Sequence, residues 1–138
     1  MSTHDSADGA LGRVQAYTIA RRLGTLAWSD SEAMIRDARL GEVASQLVRA
    51  VGSIAANVAE GYARRSRPDR IRFYEYALGS AAEALSWYET ARPSLAAEVF
   101  EAREKDLVSL RRLLLVMIRN ERIAKASHVP VPSSADNR

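Results

Sequence analysis

Apolar residues recur along this chain at spacings of three and four, the repeat that gathers them on one face of an α-helix. Ala16, Ile19, Leu23 and Leu26 form the first such stripe, and Arg13, Arg21 and Arg22 fall off it. The pattern predicts a helix from near Ala10, capped by Asp8, to near Trp28, where Ser29-Asp30-Ser31 reads as a turn and cap. Met34 and Ile35 then fit either a short helix or an irregular connection. A second stripe of Leu40, Val43, Leu47, Val51, Ile54 and Val58 predicts a helix from about Leu40 to residues 62–64. Gly41 weakens any helix running through it by ~1 kcal/mol relative to Ala. The other apolar positions of this helix are small: Ala44, Ala50, Gly52, Ala55, Ala56 and Ala59. Small side chains let two helix axes approach closely.

Ser66-Arg67-Pro68-Asp69 restarts the chain. Ser66 or Arg67 is placed to cap, Pro68 suits the first turn, and Asp69 favours the positive end of the helix dipole. Ile71, Tyr74, Leu78, Ala81, Leu85 and Tyr88 make the third stripe, which Ala91-Arg92-Pro93-Ser94 ends because the residue before proline avoids the helical region. A fourth helix, starting between Ser94 and Glu98, carries Val99, Ala102, Leu107, Leu110, Leu114, Met117 and Ile118. Strand-like alternation is absent from the sequence. The chain therefore reads as all-α, an antiparallel up-down four-helix bundle over residues 9–126, with disordered polar tails at 1–8 and 127–138. Trp87 and Phe100 fall outside the stripes and are expected to be exposed, available for further assembly.

A length of 138 residues suits one domain with a real core. Hydrophobic content is 47% and aromatic content 7%, so the core must be mostly aliphatic, as helix-on-helix packing prefers. Cysteine is absent, which excludes disulfides, Cys-ligated metals and thiol nucleophiles. The N-terminal residues lack the basic and apolar regions of a secretory signal, and no apolar run reaches the ~18 residues of a membrane span. The expectation is a cytoplasmic protein with no membrane partner, no cofactor and no metal.

Catalytic motifs do not surface. The two histidines, His4 and His128, fall in the expected tails, and none of the hydrolase, zinc-protease, P-loop or dinucleotide signatures occurs. Glu60 and Glu83 are the candidate carboxylate pair; the structural reading gives each an arginine on a neighbouring helix, such as Arg49 or Arg72. The protein is expected not to be an enzyme.

Basic residues carry the stronger signal. The formal charge is only +3, but residues 64–72 hold Arg64, Arg65, Arg67, Arg70 and Arg72 against Asp69 alone, a local +4. Clustered guanidinium groups neutralise a phosphate backbone without reading its sequence. Tyr62, Phe73 and Tyr76 lie near enough to stack on bases. The bland alternative is a solvated turn with Arg72 paired to Glu60. Arg111, Arg112, Arg119, Arg122 and Lys125 add a second basic stripe, partly balanced by Glu101, Glu104, Asp106 and Glu121. Asn57, among Ile54, Val58 and Gly61, is expected to make an interhelical amide contact that sets register; back-bonding within its own helix is the alternative.

The segments SQLVRAVGSIAANVAEGYARRS and IRFYEYALGSAAEA give residues 45–91 a specific resemblance. They resemble the four-helix-bundle family of proteins encoded in intervening sequences of bacterial large-subunit rRNA genes, and through it the accessory variability determinant of diversity-generating retroelements. The resemblance implies a ring-like homopentamer of bundles with a basic surface toward RNA or DNA, and in the retroelement members association with a reverse transcriptase. Ala55 stands where a proline is common and Tyr17 where the first helix often has tryptophan, which leaves the subfamily open. Two functions follow: a non-catalytic nucleic-acid-binding oligomer, or a protein-interaction scaffold without nucleic-acid affinity.

Overall fold

The structure, a computed structural model, describes the backbone of residues 3–126 and the side chains of residues 12–13 and 15–124. Four helices account for nearly all of it: α1, Thr3–Met34; α2, Gly41–Ala63; α3, Arg67–Ala91; and α4, Ala97–Ala126. Single 3₁₀ turns, Ala38–Leu40 and Arg92–Ser94, precede α2 and follow α3. Each helix packs on the two beside it, α1 on α2, α2 on α3, α3 on α4 and α4 back on α1. With links this short, consecutive helices run antiparallel and the bundle closes on itself. Among the described residues there is no strand, and no helix is long and apolar enough to cross a membrane.

The boundaries agree with the sequence at α2 and α3 and depart from it at α1. Ser66 caps α3 as expected, its hydroxyl accepting from the Asp69 N–H at 3.2 Å, with Pro68 in the first turn. Helix α1 begins at Thr3, through residues expected to be a loose tail, and continues past Trp28 to Met34. Ser31 does not cap. Its hydroxyl donates to the Trp28 carbonyl at 2.6 Å, a back-bond that leaves the helix intact. The expected tail at 127–138 lies outside the described residues, as do Met1 and Ser2.

The core is built from small residues around a few large ones. Helix α1 buries Ala16, Ala20, Leu23, Ala27 and Met34, and α2 buries Leu47, Val51, Ile54 and Val58 with Ala44, Ala50 and Ala55 between them. The α3 stripe keeps Tyr74, Ala81 and Tyr88 of the expected one and replaces its other three members. Tyr74, Ala77, Ala81, Ala84, Tyr88 and Ala91 are buried, while Ile71, Leu78 and Leu85 pack half-buried along its edge. Two tyrosines among alanines fill the space that the short side chains leave. Phe100 is 2% exposed, with the Arg92 guanidinium 4.4 Å from its ring centre, and Trp87 is half-buried against the core. Neither is the exposed residue that the sequence suggested. Trp28 and Ile35 take that place at 65% and 59% exposure, lining a shallow groove with Ala44 and Val48 between the end of α1 and the start of α2.

Among the described residues, Asp30 is the one charged side chain buried in this core. Asp30, turned inward by the continuation of α1, accepts from Tyr88 Oη at 2.6 Å and from Arg103 Nε and Nη2 at 2.7 and 3.2 Å. The cluster ties α1, α3 and α4 together at one end of the bundle.

Candidate nucleic-acid interface

The turn between α2 and α3 lies at the opposite end, and its shape follows from two local devices. Arg64 leaves the helical region at the C-cap, and its N–H bonds the Gly61 carbonyl at 3.2 Å. Ser66 then caps α3, so residues 64–66 form the whole connection. Gly61 is required by the approach of the two helices. A Cβ there would fall 2.7 Å from Tyr74 Cε1 and 3.1 Å from Phe73 Cβ.

The five arginines of this turn have different duties. Arg70 is structural: Nε and Nη2 grip the Glu121 carboxylate at 3.0 and 3.1 Å, and Nη1 donates to the Arg64 and Arg65 carbonyls at 3.1 and 2.8 Å. It thereby satisfies carbonyls beyond the end of α2 and fastens the turn to α4. Its assignment to a phosphate-binding set does not survive, because nearly all its donors are used. An Arg70→Leu variant is expected to lose about 1–3 kcal/mol of stability, from the lost hydrogen bonds to half-buried Glu121 and to the two carbonyls, as read by urea denaturation.

Arg64 pairs with Glu60 at the end of α2 and sits 4.9 Å from the Phe73 ring centre. Arg72 approaches the same ring at 5.3 Å and pairs with Asp69 at 3.3 Å. The expected Arg72–Glu60 bridge is therefore replaced by two pairs, each between neighbours on the chain. Arg67 is 3.9 Å from Glu121 and 41% exposed. Arg65 is exposed and makes no ion pair among the described residues. Five arginines now face Glu60, Asp69 and Glu121, so the excess is +2 rather than the +4 of the segment alone.

The other candidates separate from this turn. Arg111, Arg112 and Arg119 are exposed on α4 without a carboxylate partner among the described residues, whereas Arg122 pairs with Glu75 at 2.7 Å. Arg111 and Arg112 lie about 15 Å along the helix from Glu121, so they form a second basic surface. Leu115, Val116 and Ile123 are exposed beside them. Asn57 makes no interhelical bond; its Nδ2 donates to the Ser53 carbonyl at 2.8 Å, the back-bonded alternative. Glu83 accepts from Trp87 Nε1 at 3.2 Å instead of from an arginine. No group of carboxylate and imidazole side chains suited to a metal occurs among the described residues. The side chains of His4, Lys125 and His128 fall outside them.

The Asp30–Tyr88–Arg103 cluster was not foreseen, although a signal existed. Asp30 continues the four-three repeat of Ala20, Leu23, Ala27 and Met34, and Arg103 sits between Phe100 and Leu107 on the buried stripe of α4.

Comparison with known proteins places the fold. The family described as 23S rRNA-intervening sequence protein matches residues 13–115. A solved structure from Bacteroides thetaiotaomicron, a protein with unknown function from the S23 ribosomal protein family, superposes with a TM-score of 0.67. It shares 23% identity over 80% of this chain and 97% of its own. No curated protein matched the sequence.

Proposed function

Given that the chain belongs to the 23S rRNA-intervening sequence protein family, we propose that it is a non-catalytic, oligomeric nucleic-acid-binding protein whose α2–α3 turn contacts phosphates. The observation that carries this reading is the division of labour among the turn's arginines. Arg70 absorbs the Glu121 carboxylate, Arg64 and Arg65 stay exposed on a connection only three residues long, and Arg67 is half-exposed at the first position of α3. Exposed Arg111, Arg112 and Arg119 on α4 offer further basic groups apart from the turn. Contacts of this kind are sequence-independent and weaken steeply with salt.

The oligomeric part of the proposal, a ring of five bundles, draws support from the apolar side chains left outside. Trp28, Ile35, Leu115, Val116 and Ile123 are each more than 40% exposed. They replace Trp87 and Phe100 as the surface that a second copy would cover. Light scattering is expected to give a multimer; a monomer contradicts this part. A reverse transcriptase as protein partner is the narrower form of the proposal, and a reverse-transcriptase gene beside this one is its expected mark.

Replacing Arg64, Arg65 and Arg67 together with glutamate tests the site. Binding to a labelled RNA or DNA oligonucleotide at low salt is expected to disappear while the far-UV circular dichroism stays that of a helical bundle. Wild-type affinity in this variant places the contact elsewhere.

A further inference from the structure

The rings around the turn specify what kind of nucleic acid fits. We infer, on the reading of the α2–α3 turn as a phosphate-contacting surface, that this surface takes unpaired nucleotides, with Tyr62 and Tyr76 as stacking platforms between the arginines. Tyr62 and Tyr76 are 62% and 52% exposed, in contrast to the fully buried Tyr74 and Tyr88. A single exposed tyrosine means little. These two flank one basic turn: Tyr62 stands two residues before Arg64, and Tyr76 one helical turn beyond Arg72.

Phe73, which the sequence offered as a third stacking ring, is already engaged. The Arg64 and Arg72 guanidinium groups lie over it, and Tyr76 meets it edge to face at 5.7 Å between centres. Its role is to hold two cations and one tyrosine in a fixed relation, the cations drawn to the negative face of the ring. Tyr62 is steadied similarly by Arg13, 4.7 Å from its ring centre. Tyr62 is thus held beside the Arg13 guanidinium, and Tyr76 beside the ring over which Arg64 and Arg72 lie.

A duplex keeps its bases stacked inward and presents phosphates and sugars, so it has no use for such rings. A single strand offers every base face, and stacking on an aromatic side chain is tolerant of sequence. Charge and rings together therefore favour unpaired RNA or DNA over a helix of either.

The test is fluorescence anisotropy of the full-length chain with a labelled unstructured oligoribonucleotide, the matching oligodeoxyribonucleotide, and a duplex of equal length. Tyr62→Ala/Tyr76→Ala is expected to weaken binding of at least one single strand by about 5–150-fold for each ring in use. The salt dependence and the weaker duplex binding should stay nearly unchanged, and Tyr62→Phe/Tyr76→Phe should retain most of the affinity. The single-stranded arm with the larger loss identifies RNA or DNA as the ligand, and either supports the inference. Unchanged single-strand affinity in the alanine variant, equal losses on duplex and single strand, or a wild-type preference for duplex overturns it while leaving phosphate contact at the turn intact. If the wild-type chain binds none of the three, the underlying reading fails as well.

Discussion

An Asp30→Ala variant is expected to lose about 3–5 kcal/mol of folding stability, because removing one partner of a buried ion pair strands the other. Arg103 makes two bonds to this carboxylate, and only 12% of its side chain is exposed. The Tyr88 hydroxyl donates to it from a fully buried ring. Alanine would leave a guanidinium and a phenol without acceptors at the junction of three helices. Replacing Asp30, Tyr88 and Arg103 together with apolar residues of matching volume is expected to cost far less, since burying ions has its own desolvation penalty. Urea denaturation of the single and triple variants separates the two cases.

The same cluster gives the stability a pH dependence. Burial, and then the hydrogen bond to Asp30, push the Tyr88 phenol above its ordinary value of 10.0. Burial does the same to Tyr74. A group whose folded value is raised contributes fully below its unfolded value and loses that contribution as pH climbs from there toward the folded value. Stability is therefore expected to fall above about pH 10, and Tyr88→Phe should flatten that fall while lowering stability at neutral pH.

Gly61→Ala is expected to destabilise by about 1–3 kcal/mol, the cost of overpacking a well-filled core. Helix propensity alone argues the reverse, since alanine is favoured over glycine by about 1 kcal/mol. The steric conflict decides. A Cβ on Gly61 would sit 2.7 and 2.9 Å from the Tyr74 ring, which is fully buried and has no free space to enter. Gly79, exposed on α3 with nothing within 4 Å of a built Cβ, provides the contrast. Gly79→Ala is expected to stabilise by about 0.5–1 kcal/mol. Opposite signs in thermal melts support close packing of α2 on α3 at Gly61; stabilisation in both would show that Tyr74 can move aside.

What was legible in the sequence was whatever depends on near neighbours. Ser66, Pro68 and Asp69 announce the start of α3 because capping is a matter of three or four residues. The stripes of α2 and the later part of α4 were readable for the same reason. On α3 the largest apolar residues draw attention to Ile71, Leu78 and Leu85 at the edge of the face, whereas Ala77 and Ala84 share its centre with the expected Tyr74, Ala81 and Tyr88. Ser29-Asp30-Ser31 was misread because the side chains that favour a turn can also back-bond within a helix or face a buried cation. Which of these occurs depends on Arg103, 73 residues away. Glu121, 51 residues from Arg70, determines in the same way which arginine of the turn is committed. No spacing rule reports such pairs. The basic turn was therefore visible as a cluster, and its division into one anchored and several exposed arginines was not.

Phosphate contact at the α2–α3 turn is tested most directly by the salt dependence of wild-type binding to an unstructured oligonucleotide. Three phosphate contacts, one each for Arg64, Arg65 and Arg67, correspond to a slope of log affinity against log salt of about −2 for a single strand. A slope at least that steep, reduced toward zero when the three arginines become glutamate, is the expected result. No binding at low salt, or binding that salt does not weaken, contradicts it.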